Sequence, residues 1–418
     1  MIWADVPDPD VIRVGDVYYM TSTTMHMNPG VPIMKSYDLV HWEIVNYVYD
    51  ILDYQDEQTL RNGKNEYGKG SWASSLRYHN GTFYVAFSSS TTGKTYIFQT
   101  QDIERGPWKR YTLPFYHDMS LLFDDDGRVY LVHGSGDIQI VELTSDATAV
   151  KEGGLNKVII PDASLVAGPN VGLPAEGAHI QKINGEYYIF LITWPQGGRR
   201  TQLVFRSDRI DGPYEGRVAL DDSGIAQGGI VDTINGDWYA MLFQDHGAVG
   251  RIPYLVPVKW ESGWPVFGEN GKVPLQMKIP VSGAKSESYI VASDEFYQGS
   301  ERIGSYHTVI ENRQTSNFVT ASETEVRISS IEPLEDGSNH TELLVNGGME
   351  DGLEPWTAHG AASVSVTQSV YFSGSSSLFV SGRQATGDGP LQFITGKIKV
   401  GGVYKFSAKV KYTEGPDQ

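Results

Sequence analysis

The stretch NGTFYVAF, residues 80–87, decides the fold. It joins an Asn-Gly dipeptide to aromatic and β-branched residues. Asn-Gly beside apolar residues is the strongest short-range signal for a β-hairpin, because both turn residues tolerate a positive φ. Similar phrases recur four more times, with their turn glycines at Gly15, Gly127, Gly185 and Gly236.

The spacing of these hairpins predicts a repeat. Successive turn glycines lie 66, 46, 58 and 51 residues apart, about the length of one four-stranded propeller blade. A weaker phrase recurs near Trp42, Trp108 and Tyr214, and it indicates the turn before an outer strand, with its aromatic residue packed between sheets. We therefore predict an all-β chain with a five-bladed β-propeller over residues 1–280, since radial repetition hides sheet edges. The alternative is an antiparallel sandwich whose hairpins are similar by chance.

Composition and charge exclude several classes of function. The 418 residues include 33 Lys and Arg against 51 Asp and Glu, a net charge of −18 without basic clusters, so we expect neither nucleic-acid nor membrane partners. Cysteine is absent, which excludes disulfides and thiolate chemistry. No secretory signal precedes the patterned sequence. We expect an extracellular protein, with a cytoplasmic one as the alternative.

One position of the repeat carries polar or aromatic residues where the inner strand of each blade begins. We align the blades on the apolar residue that ends the strand before each hairpin. Four residues upstream stand Asp8, Trp72, Asp118, Glu176 and Gln227. Equivalent positions of a repeat lie at equivalent places around the axis, so we expect these five side chains to converge on one central site.

Three carboxyl groups at one buried site point to acid and base chemistry. Their mutual repulsion and burial are expected to raise at least one pKa. Glycosidic bond cleavage needs such a set, with one protonated acid for the leaving oxygen and one ionised carboxylate for water or carbon. A single Asp in a turn-rich chain is more often part of an Asx-turn, but three acids at one repeat position favour catalysis.

The sequence around these acids resembles glycoside hydrolase family 43, the five-bladed propellers that act on xylan and arabinan side chains. The matching motifs are PDPDVIR (7–13), HDMSLLF (117–123) and AEGAHI (175–180). The resemblance implies that Asp8 is the general base and Glu176 the general acid. It also implies that Asp118 orients the acid and keeps it protonated. Inversion follows from the family, with the carboxyl groups of Asp8 and Glu176 about 6.5–9.5 Å apart.

The same resemblance assigns four residues to substrate binding. Trp72 is similar to the aromatic wall of the sugar pocket, although a tryptophan packed between blades is the alternative. Arg251 resembles the arginine that binds sugar hydroxyls in the family's xylosidases. Met25 stands where those enzymes often carry a bulky aromatic residue, and Gln227 stands where many members carry a histidine.

A metal site is also implied by the resemblance. His246 is similar to the histidine that in several members coordinates a calcium ion, mainly through waters, at the propeller centre. The alternative is a hydrogen-bonded core histidine. Calcium is therefore the expected inorganic cofactor, and we expect no organic cofactor.

The repeat ends near residue 280, and residues 281–340 are expected to form a connecting segment. Residues 341–418 resemble the opening of a carbohydrate-binding module of the family 4, 9 and 22 type, a β-sandwich. The resemblance rests on LVNGGME (344–350), Trp356, SGSSSL (373–378) and the pair Gly382-Arg383. This stretch is too short for the seven to nine strands of such a sandwich, so we expect a partial β-sandwich and a longer native protein.

The interpretation as a whole is an exo-acting, inverting glycosidase that releases terminal xylose from xylan or arabinoxylan oligosaccharides. Release of arabinofuranose is expected as well, because the two sugars present similar hydroxyl arrays. Arg251 favours a β-xylosidase over the alternative, an α-L-arabinofuranosidase. Rivals of other classes are a non-catalytic glycan-binding propeller and a scaffold for protein partners. Acids at all three positions argue against the binder, which has no need of a protonated glutamate.

Overall fold

A computed structural model describes residues 2–25, 27–281, 318–322, 325–329, 343–371, 373–384, 388–393, 397 and 406–407. Contacts between Cα atoms divide the chain into two compact units, Met1–Ala292 and Ser293–Gln418. Most of the connector expected at residues 281–340 lies outside the described residues. The division into propeller, connector and sandwich fragment stays a prediction.

Within the first unit, the described residues form five antiparallel sheets of four strands each. Blade 1 comprises β1 (Asp10–Val14), β2 (Val17–Thr21), β3 (Gly30–Ser36) and β4 (Glu43–Tyr49). Blade 2 comprises β5 (Ser75–His79), β6 (Thr82–Ser89), β7 (Lys94–Thr100) and β8 (Lys109–Pro114). Blade 3 comprises β9 (Ser120–Phe123), β10 (Val129–Ser135), β11 (Asp137–Leu143) and β12 (Asn156–Ile160). Blade 4 comprises β13 (Val171–Ile183), β14 (Glu186–Pro195), β15 (Thr201–Ser207) and β16 (Glu215–Leu220). Blade 5 comprises β17 (Ile230–Asp232), β18 (Trp238–Asp245), β19 (Arg251–Glu261) and β20 (Trp264–Phe267).

The five sheets form a ring, which confirms the predicted five-bladed propeller. Within each blade the strands pair in chain order. The first strands are neighbours around the axis, because β1 contacts β5 and β17, β5 contacts β9, and β9 contacts β13. Two short 3-10 segments, Ala163–Ala167 and Gly247–Val249, are the helical elements of the described residues. Neither is long or apolar enough to cross a membrane.

The repeated glycines lie in the hairpin turns between the first two strands of each blade, and all five have φ between 66° and 87°. The preceding residue is also left-handed in two of the turns, at Asn80 and Asn184. In the other three turns only the glycine has a positive φ. Blades 3 and 5 use a longer turn, in which Gly127 and Gly236 donate back to the carbonyls of Asp124 and Thr233. Glycine is thus the part of the turn signal that all five blades share.

Apolar side chains fill the five junctions between neighbouring blades. Phe87 and Val31 belong to the cluster between blades 1 and 2, and the other junctions have equivalent clusters. Trp42 is buried between blades 5 and 1, as predicted for the aromatic residue before an outer strand. Burial of apolar surface between blades is the main favourable contribution to the free energy of folding.

The ring closes between blades 5 and 1 through polar contacts. Arg13 in β1 pairs with the carboxylate of Asp232 in β17. The amide of Val6 donates to the carbonyl of Arg251 at 2.9 Å, and the amide of Arg251 donates to Asp5 Oδ1 at 2.6 Å. The first residues of the chain are therefore bonded to blade 5, beside the centre of the ring.

In the second unit, the residues that the structure describes form short strands. They are β21 (Phe318–Ser322), β22 (Glu325–Ser329), β23 (Thr357–His359), β24 (Ser363–Thr367), β25 (Ser377–Ser381), β26 (Gly389–Leu391) and β27 (Phe406–Ser407). They pair as three small antiparallel sheets, which fits the predicted partial β-sandwich. The motifs LVNGGME (344–350) and SGSSSL (373–378) are in contact in this unit. Glu350 Oε1 accepts hydrogen bonds from the amides of Ser375 and Ser376 at 2.9 and 3.0 Å.

Candidate active site

The chain enters three of the inner strands through the same unusual backbone conformation. Asp8, Asp118 and Gln227 lie two or three residues before β1, β9 and β17, and their φ angles are 50°, 44° and 60°. A positive φ is uncommon for residues other than glycine, and Asp is among those that tolerate it best. These three positions, which the sequence repeat aligns, therefore also share a left-handed backbone conformation.

Glu176 is presented differently, from within the long strand β13. The pairing of β13 with β14 shifts register on both sides of Glu176, a bulge of the kind that re-aims a side chain. The next residue, Gly177, has a φ of 66°, and a Cβ there would lie 2.7 Å from Gln227 Nε2. Glycine at this position lets the side chain of Gln227 pack against the backbone that carries Glu176.

The structure brings the three predicted acids together at the centre of the ring. A ring nitrogen of His117 and one carboxylate oxygen each of Asp118 and Glu176 all lie within 4.8 Å of one another. We call these three side chains the acid cluster. Asp8 is buried and interacts electrostatically with both Asp118 and Glu176. Ser135 Oγ donates a hydrogen bond to Glu176 Oε2 at 3.1 Å.

Burial and mutual repulsion raise the pKa values of Asp118 and Asp8. Burial, together with the charges of Glu176 and Asp8, raises the pKa of Asp118 to about 7, although His117 and Arg251 oppose the shift. Burial also raises the pKa of Asp8, against the opposing effect of Arg251. The sequence predicts that at least one carboxyl pKa is raised here, and those of Asp118 and Asp8 both are. Such perturbation is typical of groups that exchange protons during catalysis.

Arg251 binds the carboxylate of Asp8, and Arg200 acts on it electrostatically. Arg251 Nη1 donates to Asp8 Oδ1 at 2.7 Å, and its Nε lies 3.5 Å from Asp245 Oδ1. Arg200 Nε donates to Asp245 Oδ2 at 2.6 Å. Both guanidinium groups stack on the ring of Phe243, at 4.6 Å for Arg251 and 5.4 Å for Arg200. Arg251, expected to bind sugar hydroxyls, thus also binds the candidate base.

Trp72 lies beside the acid cluster. Its half-buried ring packs edge-on against His117, with ring centroids 5.4 Å apart and planes at 88°, and against Phe115 at 6.1 Å. The amide of Met25 donates to the carbonyl of Ser71 at 3.0 Å, so the backbone of Met25 adjoins the residue before Trp72. This placement suits an aromatic wall of the sugar pocket better than a tryptophan packed between blades.

The described surroundings of His246 offer no group of three direct metal-binding side chains, and a calcium ion held mainly through waters stays a prediction. Its Nε2 lies 3.0 Å from the hydroxyl of Tyr254, and its ring packs edge-on against Trp3 at 5.2 Å. The adjacent carboxylate of Asp245 is already paired with two arginines. Calcium prefers six to eight oxygen ligands, and among the described residues His246 belongs to no group of three metal-binding side chains. We therefore derive no step through an ion at this position.

A buried ion pair on the propeller axis supports the strands that carry the acids. Asp10 Oδ2 accepts from Arg77 Nη1 at 2.7 Å, and Asp10 Oδ1 lies 3.3 Å from His179 Nδ1. Arg77 also donates to the carbonyls of Leu121 and Ile180, at 2.8 and 3.0 Å. Burial opposes ionisation of Asp10, but Arg77 and His179 outweigh it and lower its pKa. Blades 1 to 4 are thus tied at their inner strands.

Sequence reasoning missed four polar residues of this site. His117 lies directly before Asp118 in the motif HDMSLLF, but the sequence alone predicts no role for it. Asp10 lies two residues after Asp8 in the motif PDPDVIR, and the sequence predicts no role for it either. Ser135 and Arg200 lie at strand ends without any local signal, and only the fold brings them near the acids.

Replacement of Asp118 by Asn is expected to stabilise the fold while impairing activity. Because the pKa of Asp118 is about 7 in the folded chain and about 3.9 when unfolded, folding favours its protonated form. Stability is therefore lost as pH rises between these values. Asn removes that cost, so we expect the free energy of unfolding to rise by roughly 1–2 kcal/mol at pH 8. Near pH 4 the two proteins are expected to be equally stable. Thermal unfolding of both proteins at the two pH values measures this. A less stable variant at pH 8 would contradict it.

A five-bladed propeller whose axis gathers three carboxyl groups, an arginine and an aromatic wall has the parts of a glycosidase active site. Comparison with known proteins agrees with this class. The chain belongs to glycosyl hydrolases family 43, whose family model matches residues 1–265. A carbohydrate binding domain model matches residues 341–418.

Similar proteins include xylosidases and an arabinofuranosidase. A beta-xylosidase of Formosa agariphila is 32% identical over 303 residues, which are 63% of this chain and 49% of that protein. A non-reducing end alpha-L-arabinofuranosidase of Bacteroides ovatus is 29% identical, over 64% of this chain and 52% of that protein. The chain thus spans about half the length of these curated relatives. A solved structure, a bifunctional GH43-CE of Bacteroides eggerthii, is 42% identical with a TM-score of 0.71, over 93% of this chain and 52% of that one.

Proposed function

We propose that this chain is an exo-acting, inverting β-xylosidase that removes terminal xylose, and also arabinofuranose, from xylan or arabinoxylan oligosaccharides. The observation that carries the proposal is the meeting of Asp8, Asp118 and Glu176 at the propeller centre, with Arg251 bonded to Asp8. The names of the similar xylosidases support the choice of substrate. Because xylan is a polymer found outside cells, an extracellular location is part of the proposal.

The proposed reaction gives each acid a separate role. Glu176 donates its proton to the glycosidic oxygen as the bond from that oxygen to the anomeric carbon breaks. A water attacks the anomeric carbon from the opposite face, and Asp8 accepts the proton that this water loses. Arg251 stabilises the ionised form of Asp8 through its 2.7 Å hydrogen bond. Asp118 lies in the acid cluster with Glu176 and orients it.

Parallel assays of a 4-nitrophenyl β-xyloside and a 4-nitrophenyl α-L-arabinofuranoside test this proposal. We expect hydrolysis of both, with kcat/KM about tenfold or more higher for the xyloside. Proton NMR is expected to show α-xylose as the first sugar formed. A preference for the arabinofuranoside would instead make the chain an α-L-arabinofuranosidase, and β-xylose as the first product would exclude inversion. Binding of xylo-oligosaccharides without turnover of either substrate would indicate a glycan-binding propeller.

A further inference from the structure

The carboxyl group of Glu176 is held by one of its two oxygens. His117 Nε2 lies 3.0 Å from Glu176 Oε2, and Ser135 Oγ donates to the same oxygen at 3.1 Å. No hydrogen bond from the described residues reaches Glu176 Oε1. The two oxygens of the candidate acid are therefore not equivalent.

This asymmetry decides where the acidic proton resides. A protonated carboxyl group carries its proton on one oxygen and can still accept hydrogen bonds at the other. If His117 and Ser135 both donate to Oε2, the proton of Glu176 is directed to Oε1, where it is available to a glycosidic oxygen. For that geometry the imidazole must carry hydrogen on Nε2.

The surroundings of His117 favour a ring that donates. Burial opposes a charge on the imidazole, but the hydrogen bond with Glu176 and the charge of Asp118, whose Oδ2 lies 3.8 Å away, outweigh it and raise the pKa of His117. The ring therefore donates from Nε2 while Glu176 is a carboxylate, and a neutral imidazole with its hydrogen on Nε2 still donates to Oε2 when Glu176 carries the acidic proton. The neighbouring His133 does not compete for the proton, because burial and the charge of His117 lower the pKa of His133 to about 4.

The position of the ring is fixed by its own neighbours. Trp72 packs edge-on against it at 5.4 Å, and the carbonyl of His117 accepts the amide of Gly134 at 3.0 Å. Asp8 and Arg251 act electrostatically on Asp118, the residue after His117. The imidazole therefore sits between the proposed sugar wall and the proposed acid.

We propose that His117 is a positioning residue for the general acid, which acts with Ser135 to hold Glu176 Oε2 and direct the acidic proton to Oε1. This inference rests on the proposed function, because it takes Glu176 as the acid. It assigns a role to a residue that touches the acid rather than the substrate.

Two substitutions of His117 test the role. His117→Phe keeps an aromatic edge against Trp72 but removes the N–H donor, whereas His117→Gln keeps an amide donor near the place of Nε2. With xylobiose, whose leaving oxygen needs a proton, we expect kcat to fall about 10- to 100-fold in the Phe variant. With 2,4-dinitrophenyl β-xyloside, whose leaving group departs unprotonated, we expect less than about a threefold loss. The Gln variant is expected to recover most of the activity on xylobiose.

A matched control removes another imidazole from the propeller. His79 is the last residue of β5, whereas Trp72 precedes the first residue of that strand. The ring of His79 stacks on that of Phe123, with ring centroids 4.6 Å apart. His79→Phe keeps that stacking and is expected to change neither rate. Ser135→Ala is expected to show the same dependence on leaving group as His117→Phe, to a smaller extent, and it covers the case in which His117→Phe does not fold.

The outcomes separate this inference from the proposed function. The positioning role would be overturned if His117→Phe lowered kcat equally on both substrates. It would also be overturned if His117→Gln were no more active than His117→Phe on xylobiose. In either case the activity of the wild type would still support the proposed function. Wild-type protein that cleaves neither substrate would overturn the proposed function, and the role of His117 with it.

Discussion

Glu176→Gln is expected to reduce kcat/KM for xylobiose by about 10²- to 10⁴-fold. Glutamine keeps the size of the side chain and can still accept hydrogen bonds from His117 and Ser135, but it has no acidic proton to give to the leaving oxygen. The loss is expected to be small for 2,4-dinitrophenyl β-xyloside, because that leaving group needs no protonation. Steady-state rates on the two substrates measure the contrast.

The control for this substitution is Glu215→Gln on the outer strand β16, where the glutamate is exposed and pairs with Arg217. Exposed ion pairs contribute little to the free energy of folding, so this variant is expected to match the wild type in stability and rate. If Glu176→Gln hydrolysed xylobiose at a near-normal rate, Glu176 would not be the acid. An equal loss on both substrates would point to damage at the site rather than to a missing proton.

The placement of the acids was predictable from sequence because the propeller is a repeat. The apolar residue that ends the strand before each hairpin fixed the phase of each blade, and counting four residues back from it placed Asp8, Asp118 and Glu176 at equivalent positions of three inner strands. Symmetry then brings such positions together without any knowledge of side-chain packing. The catalytic roles given to these residues stay predictions until the rates are measured.

Contacts between blades were beyond the same reasoning. Ser135 and Glu176 are 41 residues apart and belong to different blades, and their meeting depends on the bulge in β13 that turns Glu176 toward blade 3. The pairing of Arg251 with Asp8 likewise spans 243 residues and requires the closed ring. A repeat predicts where a backbone position lies, but the neighbouring blade determines the rotamer of its side chain and the hydrogen bonds that the side chain makes.

Ionisation of Asp8 is expected to set the acidic side of the pH profile. The proposed base works only as a carboxylate, and burial raises its pKa despite the opposing charges of Arg251 and Arg200. Activity is therefore expected to fall as pH drops through a value above the ordinary Asp range, and to fall there for every substrate. Removal of the general acid Glu176, in contrast, is expected to lower the rate by an amount that depends on the leaving group.

Asp8→Asn is expected to lower kcat/KM by about 10²- to 10⁴-fold for xylobiose and 2,4-dinitrophenyl β-xyloside alike. Water must lose a proton in either reaction, whatever the leaving group, and an amide cannot accept it. Asn tolerates the φ of 50° at this position and keeps an oxygen for Arg251, so folding is expected to persist. Asp16→Asn, in the exposed turn of the same blade, is the matched control and is expected to leave both rates unchanged. A loss confined to xylobiose would make Asp8 part of the acid machinery instead of the base.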